Sequence, residues 1–141
     1  MATSKARAEW QGSIKEGKGN MNFTGYNGTY SFATRFENEE GTNPEELLGA
    51  AHAGCFSMYL SLLLTEQGLQ PENISTLAIV QVNKDDIGPF IQSIEIECEV
   101  KCTGLTHEKL QELAAITKEK CPVSRLFAGG TATIEATAKL L

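Results

Sequence analysis

Few groups in this chain can do covalent chemistry, and four cysteines head them: Cys55, Cys98, Cys102 and Cys121. The thiolate, not the thiol, is the nucleophile, so a reactive cysteine needs a helix N-terminus, a cation or a metal beside it. Cys98 and Cys102 fall in a run where Ile94, Ile96, Cys98, Val100 and Cys102 alternate with Glu95, Glu97, Glu99 and Lys101. That period of two puts both thiols on the apolar face of a strand, where free cysteine packs as a small hydrophobe. The alternative is a metal site made with His107. The cysteine spacing, on a strand and without a second Cys or His pair, suits tetrahedral zinc poorly.

Cys121 precedes Pro122. If Pro122 opens a helix, Cys121 is its N-cap, where unpaired amides and the dipole favour a thiolate. A boundary residue that happens to be cysteine is the plain alternative. Cys55 sits in the middle of a helical run, with Ala51, His52, Met58 and Tyr59 on adjoining turns. Ala53 and Gly54 leave room for something to approach, but small core packing explains a mid-helix cysteine equally. No dipole helps there, so activation would need a cation. Arg35, shortly before the helix on an expected strand, is always charged and carries a rigid fork of donors; an exposed strand arginine is its plain reading. His52 is a further option, although a histidine on an apolar helix reads as a satisfied core residue.

The elements that must position these groups are legible in outline. Trp10, Gly12 and Ile14 alternate with polar neighbours, and Tyr30, Phe32 and Thr34 alternate with Ser31, Ala33 and Arg35, so the first third reads as strands and turns. A helix is expected from residue 44: Asn43 is a good N-cap, Pro44 suits the first position, and Glu46 stands at the reciprocal capping-box place. From Leu47 to Leu64 it is apolar on nearly every side, and Gly68 offers a stop. A helix apolar all round must be covered all round. A membrane span is one reading; the capped start, the His and Ser residues within it and the amphipathic strands after it favour a central core helix. One chain this short would struggle to cover it, which predicts a homodimer. Ala78, Val80 and Val82 suggest a strand, as do residues 90–102. Residues 106–119 read as a helix with Leu110, Leu113, Ala114 and Ile116 inward, and a short helix is expected after Pro122. Ala132, Ile134, Ala136, Ala138 and Leu140 mark a last strand. The sum is an α+β fold with antiparallel sheet in one domain, 1–141.

Composition sets the outer bounds. At 141 residues and 41% apolar the chain is a folded protein with one core. A net charge of −6 argues against nucleic acid or an anionic membrane as partner. The first ten residues carry no apolar run after their charges, so a cytoplasmic location is expected. In that reducing compartment cysteines are expected as core residues, metal ligands or redox thiols rather than structural disulfides.

Together, Gly-Thr-Asn-Pro-Glu-Glu-Leu-Leu-Gly-Ala-Ala-His-Ala-Gly-Cys-Phe-Ser-Met (41–58), Cys-Pro-Val-Ser (121–124), Thr-Arg-Phe-Glu (34–37) and Ala-Glu-Trp-Gln-Gly (8–12) resemble the OsmC/Ohr hydroperoxide-reductase family, more the osmotically inducible branch than the organic-hydroperoxide-resistance branch. The resemblance spans essentially the whole chain. It implies an intertwined homodimer with buried central helices flanked by antiparallel sheets and an active site at the dimer interface. It also implies Cys55 as peroxidatic cysteine, Cys121 as resolving cysteine, Arg35 as stabiliser of the Cys55 thiolate and Glu45 as the holder of Arg35. The activity would be thiol-dependent reduction of organic hydroperoxides to alcohols, part of oxidative stress defence. An external lipoyl-type dithiol would restore the thiols, and no metal, haem or flavin would be needed.

Two physical points refine that expectation. Glu46 has a capping role, which leaves Glu45 for Arg35. Ten residues of straight helix rise about 15 Å, so Glu45 cannot touch Cys55 directly: the helix breaks near Gly49–Gly54, or Arg35 bridges the two, or a partner chain supplies one of them. Leu48, Phe56 and Met58 are candidates to line an apolar substrate pocket. A redox sensor that does not turn over, and a purely structural protein without a reactive thiol, are the competing classes.

Overall fold

The computed structural model describes residues 1–141, and they fall into two compact units, Met1–Leu47 and Leu48–Leu141.

The first unit is a three-stranded antiparallel meander, β1 (Arg7–Gln11), β2 (Lys18–Phe23) and β3 (Tyr26–Tyr30), followed by a five-residue helix α1 (Phe32–Phe36) and the first turn of a long helix α2 (Pro44–Glu66). β1 stops at Gln11, short of the alternation through Ile14 that the sequence suggests. Gly12 takes φ +96°, a conformation that favours glycine, and Ser13 Oγ accepts from the Glu16 amide to close a turn. Gly19 lies between the rings of Trp10 and Tyr30, whose centroids are 5.5 Å apart. A Cβ at Gly19 would collide with both rings, so the residue is fixed by close approach.

A second correction concerns residues 31–36, expected as strand. Ser31 is an N-cap whose Oγ accepts from the Thr34 amide at 3.2 Å, while Thr34 Oγ1 accepts from the Ser31 amide at 2.8 Å. This reciprocal box outweighs the period-two pattern and winds the segment into α1.

The second unit is built on one sheet of order β4–β5–β6: β4 (Asn73–Lys84), β5 (Pro89–Lys101) and β6 (Thr133–Leu140). β5 is central and covered on one face, so Ile94, Ile96, Cys98 and Val100 are buried while the glutamates between them are exposed. β4 pairs with it antiparallel, but β6 pairs with it parallel, which corrects the all-antiparallel expectation. The physical reason is the connection. Helices α3 (His107–Lys120) and α4 (Pro122–Phe127) carry the chain back to the end at which β5 began. α3 starts at Thr106, whose hydroxyl accepts from the Lys109 amide, and buries Leu110, Leu113, Ala114 and Thr117. Thr117 is a polar residue inside; its hydroxyl donates to the Leu113 carbonyl at 2.8 Å, which is why it can be buried. Ile116 is only half-buried.

α2 runs unbroken through Gly49 and Gly54, which removes the option of a helix break. Its stripe Gly49, His52, Phe56, Leu60 and Leu64 is buried, and the last three share one core cluster with β5 and α3. Gly49 allows close packing: a Cβ there would stand 3.3 Å from Val80 Cγ2. The opposite face, with Ala50, Ala51, Gly54, Met58 and Leu62, is exposed; Met58 is 80% exposed. The helix is therefore covered on one side only by its own chain, not all round. It is also the one helix long and apolar enough to cross a membrane.

Candidate active site

Two groups of predicted residues come together, one in each unit. In the first, Arg35 stands in the last turn of α1 and Glu45 in the first turn of α2. Arg35 Nη2 donates to Glu45 Oε1 at 2.6 Å, and Nε donates to Oε1 and Oε2 at 3.1 and 3.2 Å. The guanidinium fork fits the carboxylate, the geometry that makes arginine pairs strong. The connection between the two helices is pinned on both sides: the Asn43 amide donates to Thr34 O at 3.4 Å, and Thr42 N–H donates to Thr29 O at 3.1 Å. Asn43 Oδ1 caps α2 by accepting the Glu46 amide at 2.7 Å. The Glu46 carboxylate accepts the Thr42 hydroxyl instead of the Asn43 amide, so the capping box expected there is half-formed. Glu46 is still committed locally, which leaves Glu45 to Arg35.

In the second unit, Cys121 is the N-cap of α4 with Pro122 in its first turn, and its Sγ accepts the Ser124 amide at 3.4 Å. Proline sets the backbone for a helix start and removes one amide that would need a partner. The Cys55 thiol, from the middle of α2, lies near the same helix start, close enough for Cys121 and the Val123 backbone amide to act on its titration. Two thiols far apart in sequence are thus neighbours at the start of one short helix. No disulfide joins any of the four cysteines. Burial pushes the Cys55 thiol up from its ordinary range, the neighbouring Cys121 pushes it further, and the Val123 amide works in the other direction. The net direction is upward, so the demand for a cation read from the sequence stands.

Beside the thiols lies a residue that the sequence suggested mainly as a satisfied core histidine and only secondarily as a cation for Cys55. His52 is fully buried, and its Nε2 is 2.7 Å from Ser124 Oγ. Ser124 Oγ in turn accepts the Cys121 thiol at 3.1 Å. The imidazole packs edge-on to the Phe127 ring, and its Nδ1 has no partner. A buried unpaired polar atom costs about 1–3 kcal/mol, and burial also holds the His52 pKa below its ordinary value. Ser124 was not singled out from the sequence. The only signal was its place at the third helical position after a cysteine N-cap, as in Cys-Pro-Val-Ser.

The other candidates separate. Cys98 and Cys102 are buried; burial raises both thiols, with Glu99 and Glu72 adding to it and a hydrogen bond from Thr76 partly offsetting it at Cys98. His107 is exposed at the start of α3, and these three do not converge as a ligand set. Phe56 is fully buried in the core and cannot wall an open pocket, which corrects that expectation; two residues on, Met58 points to the uncovered side. Leu48 is half-buried.

Residues 37–136 match the family model described as OsmC-like protein. The chain is 45% identical to peroxiredoxin OsmC of Escherichia coli strain K12 over 126 residues, covering 87% of this chain and 88% of that one. It is 31% identical to organic hydroperoxide resistance protein OhrB of Bacillus subtilis strain 168 over 93 residues, 66% of this chain and 67% of that one. Among solved structures, an organic hydroperoxide resistance protein OsmC from Legionella pneumophila superposes with TM-score 0.74 at 20% identity, covering 99% of both chains. OhrB of Bacillus subtilis superposes with TM-score 0.68 at 24% identity, covering 97% of this chain and 98% of that one. The Arg35–Glu45 pair and the paired thiols thus sit in a chain that belongs to the OsmC-like family, with greater identity to the OsmC relative than to the Ohr one, and that is a cysteine-based peroxidase.

Proposed function

We propose that the chain reduces organic hydroperoxides with Cys55 as the oxidised thiol and Cys121 as its resolving partner, in defence against oxidative stress. The observation that carries this is the nearness of Cys55 to Cys121, the N-cap of α4, while Cys98 and Cys102 lie on β5 and just beyond it. The Cys55 thiolate attacks the terminal oxygen of R–O–OH. An S–O bond forms, the O–O bond breaks, and RO⁻ leaves to be protonated as the alcohol, leaving Cys55 as the sulfenic acid. Cys121 then attacks that sulfur; an S–S bond forms and the hydroxyl leaves as water. An external dithiol of lipoyl type restores both thiols by two exchanges and is itself oxidised to a disulfide. No metal, haem or flavin enters the scheme.

Arg35 supplies the cation that Cys55 lacks within its own unit, and Glu45 fixes the guanidinium. The second copy of the chain covers the exposed face of α2 at Ala50, Ala51, Gly54, Met58 and Leu62, because a largely apolar helix half-open to water is costly. Of the expected pocket residues, Leu48 and Met58 remain candidates to meet the organic group. The assignment includes a cytoplasmic location, where the thiols are kept reduced. Consumption of cumene hydroperoxide with a dithiol donor tests the reading: wild type should turn over and Cys55→Ser should not, whereas full turnover by Cys55→Ser would refute it.

A further inference from the structure

His52 and Ser124 take no part in the scheme above, yet they continue the line of the two thiols into the core. Cys121 Sγ lies 3.1 Å from Ser124 Oγ, and Ser124 Oγ lies 2.7 Å from His52 Nε2. Cys121, Ser124 and His52 are all buried, with 0%, 2% and 0% exposure, so water does not compete along the line. Resting on the assignment of Cys55 and Cys121, we propose that Ser124 and His52 form a proton relay that takes the Cys121 proton as Cys121 closes the disulfide.

The hydrogen positions have two consistent arrangements. In the resting one, the Cys121 thiol donates to Ser124 Oγ, whose own hydrogen is donated to His52 Nε2; Nδ1 then carries the remaining imidazole hydrogen and is the atom without a partner. Shifting both hydrogens along the line leaves a Cys121 thiolate that accepts from Ser124, and a protonated His52 that donates to Ser124 Oγ. The thiolate attacks the sulfenic sulfur of Cys55. The S–S bond forms, the S–O bond breaks, and the departing hydroxide takes the proton held by His52 and becomes water. Atoms and charge balance with no added reactant. Because burial disfavours a charged imidazole, His52 does not retain the proton; it accepts it in passing and returns it, as a general base and then acid does.

The titratable groups that face His52 are few. Cys121 reaches it through Ser124 from the junction of α3 and α4, and Cys55 stands one turn along its own helix; from α4 the ring edge of Phe127 packs against it. No carboxylate, lysine or arginine is paired with it. The relay therefore acts on the thiol step and is not part of an ion network.

A single-turnover experiment tests it. Reduced protein is mixed with cumene hydroperoxide; sulfenic acid at Cys55 is trapped with dimedone and disulfide closure is followed by mass, from pH 6 to 9. The readout is the closure rate relative to sulfenic acid formation in the same sample, so partial loss of folded protein cancels. In Ser124→Ala this ratio at pH 7 should fall about 10²-fold, the lower end of what a positioned base contributes. Closure should then climb steadily with pH as hydroxide replaces the relay, while wild type stays nearly flat. His52→Gln keeps a group able to pair with Ser124 but cannot take a proton; it should show the same fall and the same pH slope, and it stands in should Ser124→Ala fail to fold. A wild-type ratio and pH profile in His52→Gln would overturn the relay and leave the peroxidase reading intact. Absence of Cys55 sulfenic acid in wild type would instead overturn the assignment on which the relay rests.

Discussion

Replacing Glu45 with glutamine removes one charge while leaving the shape of the side chain almost unchanged. The Glu45 side chain is 10% exposed and that of Arg35 is 38% exposed. Breaking a buried pair costs about 3–5 kcal/mol and an exposed one about 0–1 kcal/mol. With one partner buried and the other screened by water, the expected loss is about 2 kcal/mol, or a fall in melting temperature of about 4–8 °C. The chemical effect follows from what the released guanidinium no longer does. An opposite charge beside a thiol shifts its pKa by about 1–3 units. A misplaced Arg35 should therefore lower the Cys55 thiolate fraction at pH 7, and the rate of its oxidation, by about tenfold or more. Arg35→Lys keeps the charge but loses the fork of three contacts, and should fall similarly. The assay is stopped-flow oxidation by cumene hydroperoxide for wild type, both single variants and the double variant. If the pair acts as a unit, the double variant is no slower than the worse single variant. Rates whose losses simply multiply would show two independent residues and refute the coupling. An unchanged oxidation rate in all three variants would remove Arg35 from the site.

Two further outcomes are expected. Met58→Asp places a charge on the exposed apolar face of α2 and should convert a dimer to a monomer in sedimentation velocity; a wild type that sediments as a monomer would remove the reason for that face. His52 in the unfolded chain titrates near its ordinary value of about 6.5, whereas burial lowers it in the folded chain. The unfolded state thus binds the proton first, and stability falls as pH drops below that value. Urea unfolding at pH 7 and pH 5 should show this loss in wild type and a smaller one in His52→Gln; identical losses would contradict the assignment.

Much of this arrangement was legible because it is written in local pattern. The alternation from Ile94 to Cys102 assigned two cysteines to the core, and Asn43-Pro44 marked the start of α2. What escaped the sequence depends on distance or on very short elements. A five-residue helix such as α1 cannot display a 3.6-residue period, and its cap uses Ser31 and Thr34 in place of the usual acidic partner. Alternation in β6 looks the same for a parallel and an antiparallel strand, so its direction is set by the crossover through α3 and α4. The link between His52 and Ser124 joins residues 72 positions apart, and no local signal announces it. The choice of Cys55 over Cys121 as the thiol that meets peroxide came from the family resemblance. The surroundings of Cys55 within residues 48–141 raise its pKa, so they do not single it out as the reactive thiol.

The identity of the bond formed on oxidation bears most directly on the whole account. One equivalent of cumene hydroperoxide is added to the reduced chain, free thiols are alkylated, and the digested protein is mapped by mass spectrometry. A single disulfide joining Cys55 to Cys121 is expected, with Cys98 and Cys102 recovered as alkylated thiols. A Cys98–Cys102 link, or Cys55 and Cys121 both recovered unoxidised, would contradict it.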